Sequence, residues 1–219
     1  VADAMPVERF QIQPHLQQQY VDYHDGRFRP VYTESTDQNL INQVDKLNMI
    51  LPPGYASEIN LALKSWIQSL AACLKLGYIT IIDYGYDKEA YYQIERHGGT
   101  LKCFFQHRAH DDPFIHVGLQ DITAHVNFST IAEAAMQSDL DIVGYAEQGH
   151  FLINLGIAEI AQTYYTQDPL KTAHALKLFT MPSQMGSVCK AIGLSKNIDN
   201  GIFSGFSRYN RSATLMHEG

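Results

Sequence analysis

The stretch QDITAHVNF, residues 120–128, places a carboxylate (Asp121), a hydroxyl (Thr123) and an imidazole (His125) at every second position, with Ile122, Ala124 and Val126 between them. In an extended segment, alternation at period two puts three such side chains on one side. The row suits a catalytic edge, a metal site, or a knot that caps the following helix. An imidazole acts as a base only within reach of the substrate proton. His125, flanked by apolar residues, suits a satisfied structural histidine as well, and Asp121 and Thr123 suit local backbone capping. A second polar cluster, FFQHRAHDDPFIH (104–116), carries His107, His110, Asp111, Asp112 and His116, all metal-capable types. Their spacing matches no ligand signature and Arg108 repels a cation, so a polar loop over a cleft is the better reading. Asp83, in IIDYGY, ends an apolar run at the kind of place where α/β proteins take ligands, with Gly85 allowing a tight turn after it. Glu58 opens a helical pattern, where the helix dipole alone would account for a carboxylate; substrate contact is the alternative.

Elements must position these groups. Around Asp25-Gly26, a strong hairpin signal, residues 9–35 alternate with period two and predict a small antiparallel meander. Thr36 or Asp37 would cap a helix through about Met49. Ser57 would cap a long helix over 58–76 with Gly77 just past its end. YITIID (78–83) reads as a strand buried on both faces, as in a parallel sheet. A helix follows over 87–97, stopped by Gly98-Gly99, and then a strand at TLKCFFQH (100–107). A helix capped by Asn127 or Ser129 and a strand at DIVGYAEQ (141–148) come next. Helices over 151–165 and 169–181 are separated at Asp168-Pro169, and the tail is loop-rich. Strand and helix in alternation predict an α/β fold.

The 219 residues are 45% hydrophobic and carry a net charge of −7. That is enough for a sizeable core, and the charge opposes binding to a phosphate backbone, so no nucleic-acid partner is expected. No apolar run is long enough to span a membrane. Cys73, Cys103 and Cys189 stand far apart with no CxxC, which argues against both a disulfide framework and a zinc-thiolate site. No GxGxxG, P-loop, HExxH or GxSxG occurs, so motif chemistry alone names no reaction.

Several segments in order do have a likeness. DAMPVERF (3–10), GYITIIDYGY (77–86), RHGGTLKCFFQHRAHDDPF (96–114), VGLQDITAHVNFSTIAEAA (117–135), QGHFLINLGI (148–157) and MPSQMGSVCKAIGL (181–194) resemble the MidA-like family of S-adenosylmethionine-dependent methyltransferases. That family includes a mitochondrial complex I assembly factor that methylates a protein arginine. The resemblance implies a Rossmann-like class I methyltransferase fold with S-adenosylmethionine as cofactor and no metal. It also implies that this chain is the C-terminal part of a single methyltransferase-like domain, with residues 9–37 as a β-meander insertion. The opening without a methionine and the missing Gly-rich cofactor loop agree with that expectation. On this mapping YITIID is the fifth strand of the sheet, and TLKCFFQH and DIVGYAEQ are its last two. Asp121, His125 and Asp83 would be catalytic. Glu58, Thr123 and His107 would meet the substrate, and Asp3 and Pro6 the cofactor. The implied partner is a protein substrate, a complex I subunit, with copies of the chain associating through an unpaired sheet edge. The implied location is cytoplasmic in a bacterium and the mitochondrial matrix in a eukaryote. A non-catalytic assembly module and a small-molecule methyltransferase are the competing functions. The motif departs from the family at Gln184 and Cys189, where an acid and an aromatic are expected, and at Asn210, where an acid is usual.

Overall fold

The computed structural model describes residues 1–198 and 203–216. The chain forms two compact units, one of Val1–Leu63 and Lys88–Val126, the other of Lys64–Asp87 and Asn127–Glu218. In chain order the strands are β1 (Glu8–Ile12), β2 (Leu16–His24), β3 (Arg27–Glu34), β4 (Ala56–Ile59), β5 (Gly77–Tyr86), β6 (Lys102–Phe105), β7 (Arg108–His110), β8 (Asp121–Thr123), β9 (Val126–Asn127), β10 (Asp141–Glu147) and β11 (Cys189–Lys196). The helices are α1 (Gln38–Asp45), α2 (Leu63–Cys73), α3 (Lys88–Tyr91), α4 (Phe128–Met136), α5 (Gln148–Asn154), α6 (Ile157–Tyr165), α7 (Pro169–Thr180) and α8 (Met185–Val188). The fold is mixed α/β.

In the first unit the expected meander is present, and it gains a fourth strand, in the order β3-β2-β1-β4. Asp25 and Gly26 both take positive φ and close the β2–β3 hairpin, as a type I′ turn requires. The fourth strand corrects the sequence reading. Ser57 does not cap a helix; it pairs with Phe10, and Glu58 pairs with Arg9, in the β1–β4 ladder. Tertiary pairing with β1 overrides the local helical pattern, since Ser57, Glu58 and Ile59 are all buried there. The helix begins later, at Leu63, after a turn in which Asn60 Oδ1 accepts from the Ala62 amide at 3.0 Å. It ends at Cys73, so Gly77 does not cap it but opens β5. Asp37 caps α1 as expected, accepting from the amides of Asn39 and Leu40, though the helix stops at Asp45.

A small sheet of the same unit runs β7-β6-β8. TLKCFFQH was expected in the main sheet with DIVGYAEQ; instead β6 folds back on β7 through a two-residue turn, Gln106-His107, with φ of 48° and 63°. Those are type I′ angles carried by residues with a Cβ, which favour the left-handed region poorly. Replacing Gln106-His107 with Asn-Gly is expected to raise stability by about 0.5–1 kcal/mol, read as a shift in the denaturation midpoint. A loss of stability instead would show that the two side chains hold the turn.

In the second unit β11 lies between β10 and β5, antiparallel to both. This corrects two expectations. β5 is not a short parallel-sheet strand: it runs ten residues, and its burial alternates, with Ile81, Asp83 and Gly85 inside and Tyr78, Ile82 and Tyr84 exposed. Asp83 therefore lies within the strand rather than at its end, and Gly85 makes no turn. The strand beside β10 is β11, whose sequence CKAIGLSK has small residues and weak strand signal. It is buried over seven of its eight positions, so flanking ladders rather than propensity make it a strand. Below the sheet, Phe151 and Phe206 pack against Ala146 and Ala191. Asn127 caps α4 as expected, accepting from the amides of Ser129 and Thr130; Asp168, expected only as a break between helices, caps α7 by accepting from the Lys171 amide. The single helix expected over 151–165 is two, α5 and α6, split at Gly156 with φ 79°. The helix expected over 87–97 shrinks to α3 and a 3-10 turn, Ile94–Arg96. In the loop-rich tail, 3-10 turns form at Ser204–Phe206 and Ser212–Leu215; residues 199–202 and 217–219 lie outside the described residues.

Candidate functional site

The first unit holds a buried polar knot centred on Glu58, which is 0% exposed. Three donors converge on its Oε1: the Thr100 amide at 2.7 Å, the Thr100 hydroxyl at 2.6 Å and the Tyr91 hydroxyl at 3.0 Å. The Tyr92 hydroxyl donates to the Glu58 carbonyl at 3.2 Å. Oε2 has no hydrogen-bond partner among the described residues and lies against Gly99. A Cβ on Gly99 would stand 2.1 Å from Oε2, and φ at Gly99 is +79°, so glycine is required there twice over. Burial raises the Tyr91 pKa well above its ordinary value, and the nearby Glu58 charge adds to it, so Tyr91 stays a neutral donor.

The knot reaches two further expected site residues. Thr100 Oγ1 accepts from the His125 backbone amide at 2.9 Å. The neighbouring Ala124 amide donates to the Asp3 carbonyl at 2.9 Å. Asp3, His125 and Glu58 thus belong to one hydrogen-bonded chain within one unit. Pro6, in the turn-to-strand passage before β1, is exposed.

Asp121, Thr123 and His107 lie elsewhere in the unit, on the small sheet. Asp121 is exposed on β8, in register with Phe104. Thr123 is in register with Lys102 and donates to its carbonyl at 3.4 Å. His107 is exposed at the β6–β7 turn. The loop from 107 to 116 is organised by ring packing: Phe105 stacks on His116 at 4.0 Å, and His110 meets His116 edge-on at 6.1 Å. Lys102 and Asp111 form an ion pair at the surface, which holds the Asp111 carboxyl below its usual range. Among the described residues no group of three His, Cys, Asp or Glu side chains gathers to hold a metal.

Asp83 is in the second unit, 6% exposed, with Oδ1 accepting from the Tyr84 amide at 2.9 Å. Across the sheet it is in register with Lys190, and Lys190 with Glu147. The sequence alone singles out neither Glu147 nor Lys190, which lies within the family-like segment 181–194; a lone lysine in a run of small apolar residues was the available signal.

Comparison with known proteins bears on what such an arrangement serves. The family described as "Putative S-adenosyl-L-methionine-dependent methyltransferase" matches residues 1–146. A superfamily member from Burkholderia thailandensis, crystallised with S-adenosyl-homocysteine, is 35% identical with a TM-score of 0.90; the match covers 98% of this chain and 56% of that one. A native crystal structure of a superfamily protein from the same organism gives 35% identity, a TM-score of 0.90, and coverage of 98% and 58%. The chain therefore spans little more than half the length of these relatives. No curated protein matches it. No helix among the described residues is long and apolar enough to cross a membrane. With two thirds of its length matched by the family, the chain belongs to the S-adenosyl-L-methionine-dependent methyltransferases, whose cofactor is S-adenosylmethionine.

Proposed function

We propose that this chain supplies the acceptor side of a methyltransferase of Rossmann-like class I fold, with the β1–β3 meander as an insertion. Its acceptor is a protein arginine, on a subunit of respiratory complex I. The observation that carries the reading is the chain Asp3–Ala124–His125–Thr100–Glu58, joined by hydrogen bonds and the Ala124–His125 peptide, which links a residue assigned to the cofactor with one assigned to catalysis and one assigned to the substrate. The S-adenosyl-homocysteine held by the Burkholderia relative supports the choice of cofactor.

The cofactor supplies a methyl group activated on a sulfonium. Asp3 and Pro6 fit a partial share of its site: the Asp3 backbone is fixed by Ala124, but the 219 residues hold no Gly-rich loop to approach the rest of it. The chain's own residues do the remaining work. An arginine side chain is cationic, with a pKa above about 12. Carboxylates orient it and offset its charge, best as charge-assisted hydrogen bonds; Asp121 of the first unit and Asp83 of the second are each a carboxylate suited to that role, taken separately. His125 takes the proton, with Thr123 and His107 at the acceptor's flank. Glu58, buried beneath, acts through Thr100 by holding the His125 backbone in place; it is a positioning residue.

The intact protein incubated with methyl-labelled S-adenosylmethionine and complex I subunits is expected to label arginine. Asp121→Ala and His125→Ala are each expected to cut that rate at least about tenfold, or about 1.4 kcal/mol of barrier. Unchanged turnover in a folded variant would remove that residue from the mechanism. Label on a small molecule alone would replace the protein acceptor.

A further inference from the structure

β5 and β10 both run antiparallel to β11, so their carboxyl ends lie at the same edge of the sheet. Toward that edge Asp83, three residues before the end of β5, stands in one register row with Lys190 and Glu147 across three adjacent strands. Residues in one row share a face, and carboxyl edges are where α/β sheets take ligands. Lys190 is only 8% exposed. Its ammonium donates to the Ser187 carbonyl, lies 3.9 Å from Glu147 Oε1, and sits 5.8 Å from the centre of the Tyr86 ring. Glu147 gathers the rest: the Ser187 hydroxyl at 2.5 Å, Arg211 at 3.8 Å and His150 at 4.0 Å. The Tyr145 hydroxyl, on the same face two residues before Glu147, is buried with no hydrogen-bond partner among the described residues.

A buried lysine of this kind is not there for stability. Burial lowers its pKa more than Glu147 raises it; Arg211 lowers it further, while Cys189 and Asp87 support the charge. Folding therefore works against this cation, and an apolar side chain of similar length would fill the space without that penalty. Charges kept under such conditions concentrate at functional sites.

We propose that Lys190 is a positioning residue of the methyl-transfer site: paired across the ladder with Asp83, it ties Glu147 on β10 to the Tyr86 ring at the end of β5 and so holds Asp83 in place near the carboxyl edge. This rests on the methyltransferase reading above, with Asp83 among the groups that meet the acceptor. The titratable and polar groups around Lys190 are Glu147 and Tyr145 from β10, Asp83 and Tyr86 from β5 and Asp87 just after it, Ser187 and the adjacent Cys189 from its own segment, and Arg211 and His150 beyond Glu147.

The test compares Lys190→Met and Lys190→Arg in the intact protein. Lys190→Met is expected to lower kcat at least tenfold and leave KM for S-adenosylmethionine within twofold, with Tm unchanged or raised. Lys190→Arg is expected to recover most of kcat and to extend activity to higher pH, because a guanidinium stays charged where a buried amine does not. The backbone amide resonances of Tyr86 and Asp87 should move in Lys190→Met and return in Lys190→Arg. Wild-type kcat, pH profile and amide shifts in Lys190→Met would overturn the proposal. So would a kcat that falls only in step with Tm and does not recover in Lys190→Arg, since that marks a merely structural lysine. If the wild-type protein transfers no methyl group, the methyltransferase reading fails by itself. The amide shifts then decide whether Lys190 holds the end of β5.

Discussion

Glu58→Ala is expected to lower the unfolding free energy by about 4 kcal/mol, the largest effect at any polar residue of the first unit. Its Oε1 satisfies the Thr100 amide, the Thr100 hydroxyl and the Tyr91 hydroxyl. Thr100 and Tyr91 are 6% and 3% exposed, so water does not replace the lost acceptor. Each buried donor left unmade costs about 1–3 kcal/mol. The Tyr91 and Thr100 hydroxyls lie 3.2 Å apart and recover part of this by bonding each other. Glu58→Gln keeps one acceptor oxygen and should cost about 1–2 kcal/mol. Denaturant titration of the three proteins reads both numbers. Because domain stabilities run from about 5 to 15 kcal/mol, the alanine variant should also be visibly less soluble on expression. A Glu58→Ala protein within 1 kcal/mol of wild type would mean that the knot is an incidental cluster.

Gly186→Ala should cost at least about 3 kcal/mol, by a different route. A Cβ there would stand 2.3 Å from the Thr180 carbonyl oxygen, 2.5 Å from its carbon and 2.7 Å from the Met181 carbonyl oxygen. These are backbone atoms at the end of α7, so no side chain can rotate aside. Overpacking of this kind costs about 1–3 kcal/mol where neighbours can give and more where they cannot. Gly186 is followed by Ser187, whose carbonyl receives Lys190, so the displaced turn should also disturb the β11 edge. Gly98→Ala is the control: nothing lies within 4 Å of its Cβ position and its φ is ordinary. Its expected effect is within about 0.5 kcal/mol. Thermal unfolding of the two variants separates them; equal Tm values would refute the close approach of α8 to α7.

Where a structural signal is local, the sequence is a good guide. Asp25-Gly26 closes its hairpin because both residues accept positive φ cheaply, and Asp37, Asn127 and Asp168 cap helices because their side chains reach amides two or three residues on. Where a signal depends on partners far away in the chain, it misleads. Ser57 and Glu58 look like a helix start, but β1 recruits them as a strand. Cys189–Lys196 looks like nothing in particular, yet neighbours on both sides make it the centre of a sheet. Asp83 looks like a strand end, yet it pairs with Lys190 inside the ladder to β11, and the strand runs on to Tyr86.

The same division holds for the candidate site. Residue types, the alternation in QDITAHVNF and the ordered family motifs are properties of the chain itself, and they determined the α/β class, the methyltransferase family and its cofactor. Only the tertiary structure could separate His125, hydrogen-bonded through Thr100 to a fully buried Glu58, from Asp121, four residues earlier and exposed on a small sheet. Only the strand register could place Glu147 and Lys190 beside Asp83, from segments about sixty and one hundred residues away. Hydrogen-bond satisfaction and burial are set by which backbones pair, and pairing across such distances leaves no mark in the local sequence.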